Sequence, residues 1–301
     1  MTGYRPFTAP VRGGELAAGE WRHGAEPLTP VLAVHGITAS HRAWPLVAER
    51  LPGTRVIAPD LRGRGGSRGL PGPWGMPQHA DDLAALLDAA EVESCLVVGH
   101  SMGAFVAVEL ARRHPDRVTG LVLVDGGLPI PRPEGISDDE LAAALIGPAA
   151  VRLSMTFPDH AAYRAYWRDH PAFAAEWSPT IEQYIDYDLV GEAPNLHPAT
   201  RLEAVQQDSL QLDGDLEYAA ALAALPIGVD FVRAPRGLLN QVPPLYPDSE
   251  MERWRAALPE VEIHEVADVN HYTIVMGERG ADAVADLVAR RIAETHARST
   301  G

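Results

Sequence analysis

There is no lysine in this chain; all 25 basic residues are arginine. Schiff-base chemistry and a Walker-type phosphate loop both use a lysine and are excluded. Cysteine is nearly as scarce. The single Cys95 cannot close an intrachain disulfide, and its apolar neighbours mark it as a small packed hydrophobe. No stretch approaches the ~20 apolar residues needed to span a bilayer, so a soluble, cytoplasmic protein is the default expectation. Metal-ligand spacing is missing too. There is no His-Glu-x-x-His, there are no paired cysteines, and the 12 histidines are scattered, so neither metal nor other cofactor is expected. Cations are outnumbered, 25 against 41 acidic residues for a net charge of −16. Nucleic acid, which is bound through clustered cations, is not expected as a partner.

The 301 residues, 46% of them hydrophobic, can fill a sizeable core. Strand-like and helical patterns alternate: Glu15 to Trp21, Val31 to His35, a helical Arg42 to Leu51, Arg55 to Pro59, then a helical Pro77 to Ala90. Such alternation predicts a doubly wound, mostly parallel sheet with ligands at the carboxyl ends of its strands. Gly13-Gly14, between Phe7 to Val11 and Glu15 to Trp21, reads as a hairpin turn that opens the sheet with an antiparallel pair. After Asp125 a Pro/Gly-rich linker, Gly126 to Pro133, leads to a capping-box pattern at Ser137-Asp138-Asp139-Glu140. From about 135 to 224 the reading is helical, with no convincing strand. The pattern then resumes at Ile227 to Val232, a helix near Ser249 to Leu258, Val261 to Val266, and a last amphipathic helix from about Ala281 to Glu294. The expected division is an α/β core, 1–127 and 225–301, with an inserted all-helical lid, 128–224.

One motif carries chemistry. Gly99-His100-Ser101-Met102-Gly103 leaves an apolar run, Ser94 to Val98, and enters a helical pattern, Met102 to Arg113, that Pro115 ends before the strand Val118 to Val124. That context is the one in which a serine is held at a sharp strand-to-helix turn, with glycines two residues away on either side. A serine hydroxyl is a poor nucleophile at neutral pH and needs a base and an orienting acid. His271, in Asp268-Val269-Asn270-His271-Tyr272 after the last strand, is the candidate base.

Together with Val34-His35-Gly36-Ile37-Thr38, the serine motif and the late histidine resemble the α/β-hydrolase family over most of the chain. The resemblance implies an oxyanion hole made by backbone N–H groups of Ile37 and Met102. It also implies a structural role for Asp60 in Asp60-Leu61-Arg62-Gly63-Arg64-Gly65-Gly66-Ser67. The family's commonest acid follows the strand matching Ile227 to Val232, but Arg233 to Gln241 holds no carboxylate. Asp125, at the end of the strand after the serine helix, is the better candidate, because some members take their acid there. Asp248 is the alternative, although Asp248 or Ser249 also reads as a helix N-cap.

The implied activity is hydrolysis of a carboxylic ester of an apolar small molecule through an acyl-enzyme. A lactonase, a C–C bond hydrolase or perhydrolase, and a non-catalytic ligand-binding member are the rivals. Eight of the nineteen aromatics fall between Phe157 and Tyr187, and Trp167, Trp177 and Tyr187 are the expected substrate contacts. The expected partner is a small ester or lactone, without membrane or nucleic acid; a homodimer is left open.

Overall fold

The computed structural model describes residues 3–26, 28–132, 135–214 and 216–299; of the quoted linker, Pro133 lies outside them. In chain order the elements are β1 (Gly3–Val11), β2 (Gly14–His23), β3 (Thr29–Val34), α1 (Pro45–Glu49), β4 (Thr54–Pro59), α2 (Met76–Ala89), β5 (Cys95–His100), α3 (Met102–Arg113) and β6 (Val118–Val124). A long connection follows, with α4 (Asp138–Ile146), α5 (Pro148–Arg152), α6 (His160–Arg168), α7 (Pro179–Asp188), β7 (Leu189–Val190), β8 (His197–Pro198), α8 (Leu202–Ser209) and α9 (Leu216–Ala224). The chain closes with β9 (Gly228–Arg233), α10 (Asp248–Ala257), β10 (Val261–Glu265), α11 (Thr273–Met276) and α12 (Glu278–Ser299).

Eight strands form one sheet in the order β1-β2-β4-β3-β5-β6-β9-β10, antiparallel at β1–β2 and β2–β4 and parallel elsewhere. The central strands read as near-continuous apolar runs because both faces are covered. Val97, Leu121 and Leu123 pack into the layer that holds α2 and α3; Leu96, Val98, Val122 and Val124 pack into the layer with α1 and α12. Each fully buried valine or leucine stabilises by roughly 1.5–3 kcal/mol. Register then places the chemistry. His100 pairs with Val124, and Val124 with Val232, so Ser101 and Asp125 leave neighbouring strands side by side at the carboxyl edge.

Three expectations need correction. The helix read over 42–51 divides into a 3₁₀ turn, His41–Ala43, and α1, because Pro45 restarts the helix at its first position. The 135–224 stretch contains a two-stranded antiparallel ladder, β7 with β8. Neither Asp248 nor Ser249 caps α10; Pro247 occupies the N-cap, and the Asp248 carboxylate pairs with Arg233 at 2.6 Å. The capping box at Ser137 and Glu140 is present. Cys95 is buried. Among the described residues no helix is long and apolar enough to cross a membrane.

Candidate active site

Ser101 sits at the turn between β5 and α3 with φ 55° and ψ −125°. Residues with side chains rarely adopt this conformation, and holding one there costs ~1–3 kcal/mol. The surroundings fix it. The Ser101 N–H donates to the Val124 carbonyl at 2.9 Å, and α3, buried along most of its length, anchors the other side. A Cβ on Gly99 would lie 2.4 Å from the Gly103 carbonyl oxygen, and one on Gly103 would lie 2.2 Å from that of Val34. The flanking glycines are therefore a packing requirement: strand and helix approach too closely for any side chain there.

His271 lies in the loop between β10 and α11, its N–H donating to the Arg236 carbonyl at 3.0 Å. Beside it, the Asn270 side-chain oxygen accepts from the N–H groups of Tyr272 and Thr273, both at 3.0 Å, which stiffens the loop. His271 Nδ1 lies 2.7 Å from Asp125 Oδ2. A carboxylate can only accept, so Nδ1 carries a proton, and in the neutral ring Nε2 is then the atom with the free lone pair. Asp125 is fully buried, and its other oxygen accepts from the Ala234 N–H at 3.1 Å. Asp248 is not brought to the histidine; its side chain is 87% exposed and engaged with Arg233.

Met102 is the first residue of α3, where a helix N–H has no acceptor within its own helix. Ile37 lies in the turn after β3, and the two peptides flanking its Cα are held by their carbonyls. The Gly36 oxygen accepts from Ala39 N at 3.1 Å and from His35 Nδ1 at 2.7 Å. The Ile37 oxygen accepts from Arg64 Nε at 2.9 Å. His35 Nε2 in turn accepts from the Leu61 N–H at 2.9 Å, which fixes the ring as the Nδ1–H tautomer. The sequence reading quoted His35 within a motif but gave it no role.

His100, next to the serine, donates Nε2–H to the His271 carbonyl at 2.7 Å. Burial, with His271 adding to it, holds its pKa well below the usual histidine range. Asp60 has the structural role expected. One of its oxygens accepts from the His41 N–H and from Nδ1 of the same ring, and the other from Gly66 N–H and Tyr187 O–H. Burial raises the Asp60 carboxyl, but the bonds from His41 and Tyr187 outweigh it and bring its pKa down to about 2.

Two acid windows follow from these shifts. Burial lowers His35 to about 4, so between the ordinary histidine pKa and that value the unfolded chain binds the proton and the folded chain does not. Stability from His35 is complete above about pH 6.5 and declines, by ~1.4 kcal/mol per unit, as pH falls toward 4. The Asp60 contribution is complete above about pH 4 and is lost only as pH falls through 2. Urea midpoints measured from pH 7 to 4 should decline in the wild type and decline less in His35→Asn; parallel slopes would refute the assignment.

Ser101, His271 and Ile37 line one partly open cavity at the carboxyl edge of the sheet. Its walls are mostly apolar: Ile130, Leu145, Ile146, Ala149 and Leu212 from the connection between β6 and β9, with Leu238 and Leu245 from the loop after β9. Among the described lining residues there is no carboxylate and no arginine. Tyr184 and Tyr272 add hydroxyls.

The expected aromatic contacts lie elsewhere. Trp167 is 2% exposed, beneath the Arg152 guanidinium and against Tyr163 and Phe173. Trp177 stacks with Arg168 beside a separate surface recess. Tyr187 spends its hydroxyl on Asp60. Trp167 is turned inward because α6 and α7 bury their apolar faces against each other and Tyr272, while α4 and α5 present Leu145, Ile146 and Ala149 to the cavity. The leucine and isoleucine at the end of α4 were the available signal, and aromatic density outweighed it.

Among the described residues one group of metal-ligand type lies outside this site. Asp230, Glu262 and His264 bring ligand atoms within 4.8 Å of one another on β9 and β10. Asp230 is already bonded by Arg290 and Arg291, which supply its counter-charge.

Residues 29–152 match a family described as the alpha/beta hydrolase fold. Lipase LipV of Mycobacterium tuberculosis is 42% identical over 104 residues, 35% of this chain and 40% of that protein, so the matched part covers less than half of that relative. A 2-hydroxymuconate semialdehyde hydrolase of Pseudomonas sp. (strain CF600) is 26% identical across 94% of this chain and 96% of its own length. Among solved structures, an E-2-(acetamidomethylene)succinate hydrolase superposes with a TM-score of 0.76 at 21% identity, covering 97% of this chain and all of that one. A thioesterase domain from the curacin biosynthetic pathway follows at 0.74, with 21% identity, 95% of this chain and 99% of that one.

Proposed function

The chain belongs to the α/β-hydrolase fold family, and we propose that it hydrolyses a carboxylic ester of an apolar small molecule through an acyl-enzyme. The observation that carries this reading is the 2.7 Å contact between His271 Nδ1 and Asp125 Oδ2, set on the same cavity as a serine in a strained turn. Ser101 is the nucleophile, His271 the base and Asp125 the orienting acid. Oγ attacks the substrate carbonyl, its proton passes to His271 Nε2, and the N–H groups of Ile37 and Met102 stabilise the oxyanion. Collapse expels the alcohol, which takes the proton from His271. Water, activated by the same nitrogen, then releases the acid. The helical connection 128–224 acts as a lid over this chemistry, contributing Ile130, Leu145, Ile146, Ala149, Tyr184 and Leu212 to the cavity.

A second reading comes from the relative matched along nearly its whole length. 2-Hydroxymuconate semialdehyde, as named, contains no ester, so its hydrolysis breaks a carbon–carbon bond, a reaction the same three residues could serve. Against that reading here, the described lining residues offer a carboxylated substrate no arginine. Purified protein should be assayed against p-nitrophenyl esters of two to ten carbons, γ- and δ-lactones, thioesters and a vinylogous 1,5-diketone carboxylate. The ester reading expects turnover of medium-chain esters. Cleavage of the diketone alone, or of nothing, would refute it.

A further inference from the structure

We infer that Arg64 is a positioning residue that fixes the turn carrying the Ile37 oxyanion N–H, packs beside the Met102 side chain, and is itself set by Asp208 of α8. This rests on the reading of Ile37 and Met102 as the oxyanion donors. Arg64 follows β4 in the turn that begins at Asp60, and it is fully buried. Its planar guanidinium reaches four places: Nε donates to the Ile37 carbonyl at 2.9 Å, Nη1 to the Arg62 carbonyl at 2.9 Å and to Asp208 Oδ2 at 2.6 Å, and Nη2 lies 3.9 Å from Met102 Sδ. One rigid group thus touches both residues whose N–H groups must converge on a single oxygen.

The geometry at Ile37 gives the contact its effect. The Ile37 N–H belongs to the peptide whose carbonyl, Gly36, is held by His35 and Ala39; the next peptide is held only by Arg64 among the described residues. Releasing that second carbonyl frees the ψ angle of Ile37, and the turn with it. A guanidinium fork is pre-organised to hold several acceptors at fixed angles, which a single ammonium is not.

Asp208 extends the connection to the lid. Besides Arg64 it accepts from the Gly75 N–H at 2.6 Å and contacts His79 Nε2 at 3.0 Å, so it is anchored at the start of α2. The turn holding Arg64 is tied to the same region twice more, Arg201 N–H to the Gly63 carbonyl at 2.9 Å and Arg68 Nε to that of Ala199 at 3.2 Å. Displacement of α8 would therefore reach the turn that carries Ile37 through the buried Arg64–Asp208 ion pair and these two further hydrogen bonds.

The test compares full-length wild type with Arg64→Lys, Asp208→Asn, the double variant Arg64→Met/Asp208→Asn, and Ser101→Ala. The double variant avoids stranding one buried charge. Kinetics on a p-nitrophenyl ester are normalised to sites titrated with a fluorophosphonate, and the Ki of an alkyl boronic acid, which mimics the tetrahedral state, is measured alongside. The double variant should lose about ten- to a hundredfold in kcat, short of the 10²–10³ that follows loss of a donor. KM should stay within about twofold while the boronate Ki rises in proportion, and Arg64→Lys and Asp208→Asn should fall between. Unchanged kcat per titrated site, with only melting temperature or titratable fraction reduced, would show Arg64 to be structural and overturn the inference alone. If the double variant does not fold, Asp208→Asn decides by the same two ratios. A fully active Ser101→Ala, or a wild type that neither turns over esters nor takes the phosphonate, overturns the functional reading and this inference with it.

Discussion

Asp125→Asn should lower kcat about 10⁴-fold with little loss of stability, while Asp248→Asn should stay within about twofold of wild type. The asparagine still offers an oxygen to the Ala234 N–H, so the bond that anchors the strand end survives. What changes is the atom facing His271 Nδ1. An amide NH₂ donates where a carboxylate accepts, so the ring must move its proton to Nε2, and the tautomer able to take a proton from Ser101 is lost. Asp248 is on the surface, paired with Arg233, and has no path to that nitrogen. Steady-state kinetics of both variants, with circular dichroism melts as the folding control, decide the matter. Near-normal turnover in Asp125→Asn together with a collapse in Asp248→Asn would reverse the assignment.

Ser101→Ala should reduce kcat by about 10⁶, leaving whatever the oxyanion peptides and binding alone provide. The strained turn should persist, because its bonds run through the backbone: Ser101 N–H to Val124 and Ala104 N–H to the Ser101 carbonyl at 3.0 Å. Intact mass after incubation with a fluorophosphonate gives an independent reading. The wild type should gain one adduct and the variant none. An adduct on the variant, or turnover surviving the substitution, would place the nucleophile elsewhere.

Much of this arrangement was legible in the sequence, for identifiable physical reasons. Strands covered on both faces must be apolar throughout, so β5 and β6 stood out, and α3 matched its expected limits, Met102 and Arg113, because Ser101 and Pro115 bound it. The missing carboxylate after β9 pointed to Asp125, and the structure places that side chain against His271. Long-range polar pairing was not legible. Nothing in the spacing of Arg64 and Asp208, on a turn and a distant helix, announces a 2.6 Å ion pair. Nor could periodicity tell which face of a helix meets a cavity and which meets another helix, and so Trp167 was misplaced and Tyr184 overlooked.

With Asp125, just after β6, as the proposed acid, two kinds of variation separate. On that proposal the loop after β9 has no share in proton transfer, yet it supplies Leu238 and Leu245 to the cavity wall. Descendants of this sequence can therefore drift in that loop and change diet without touching the residues that break the bond, and directed evolution of substrate range should begin at those two leucines.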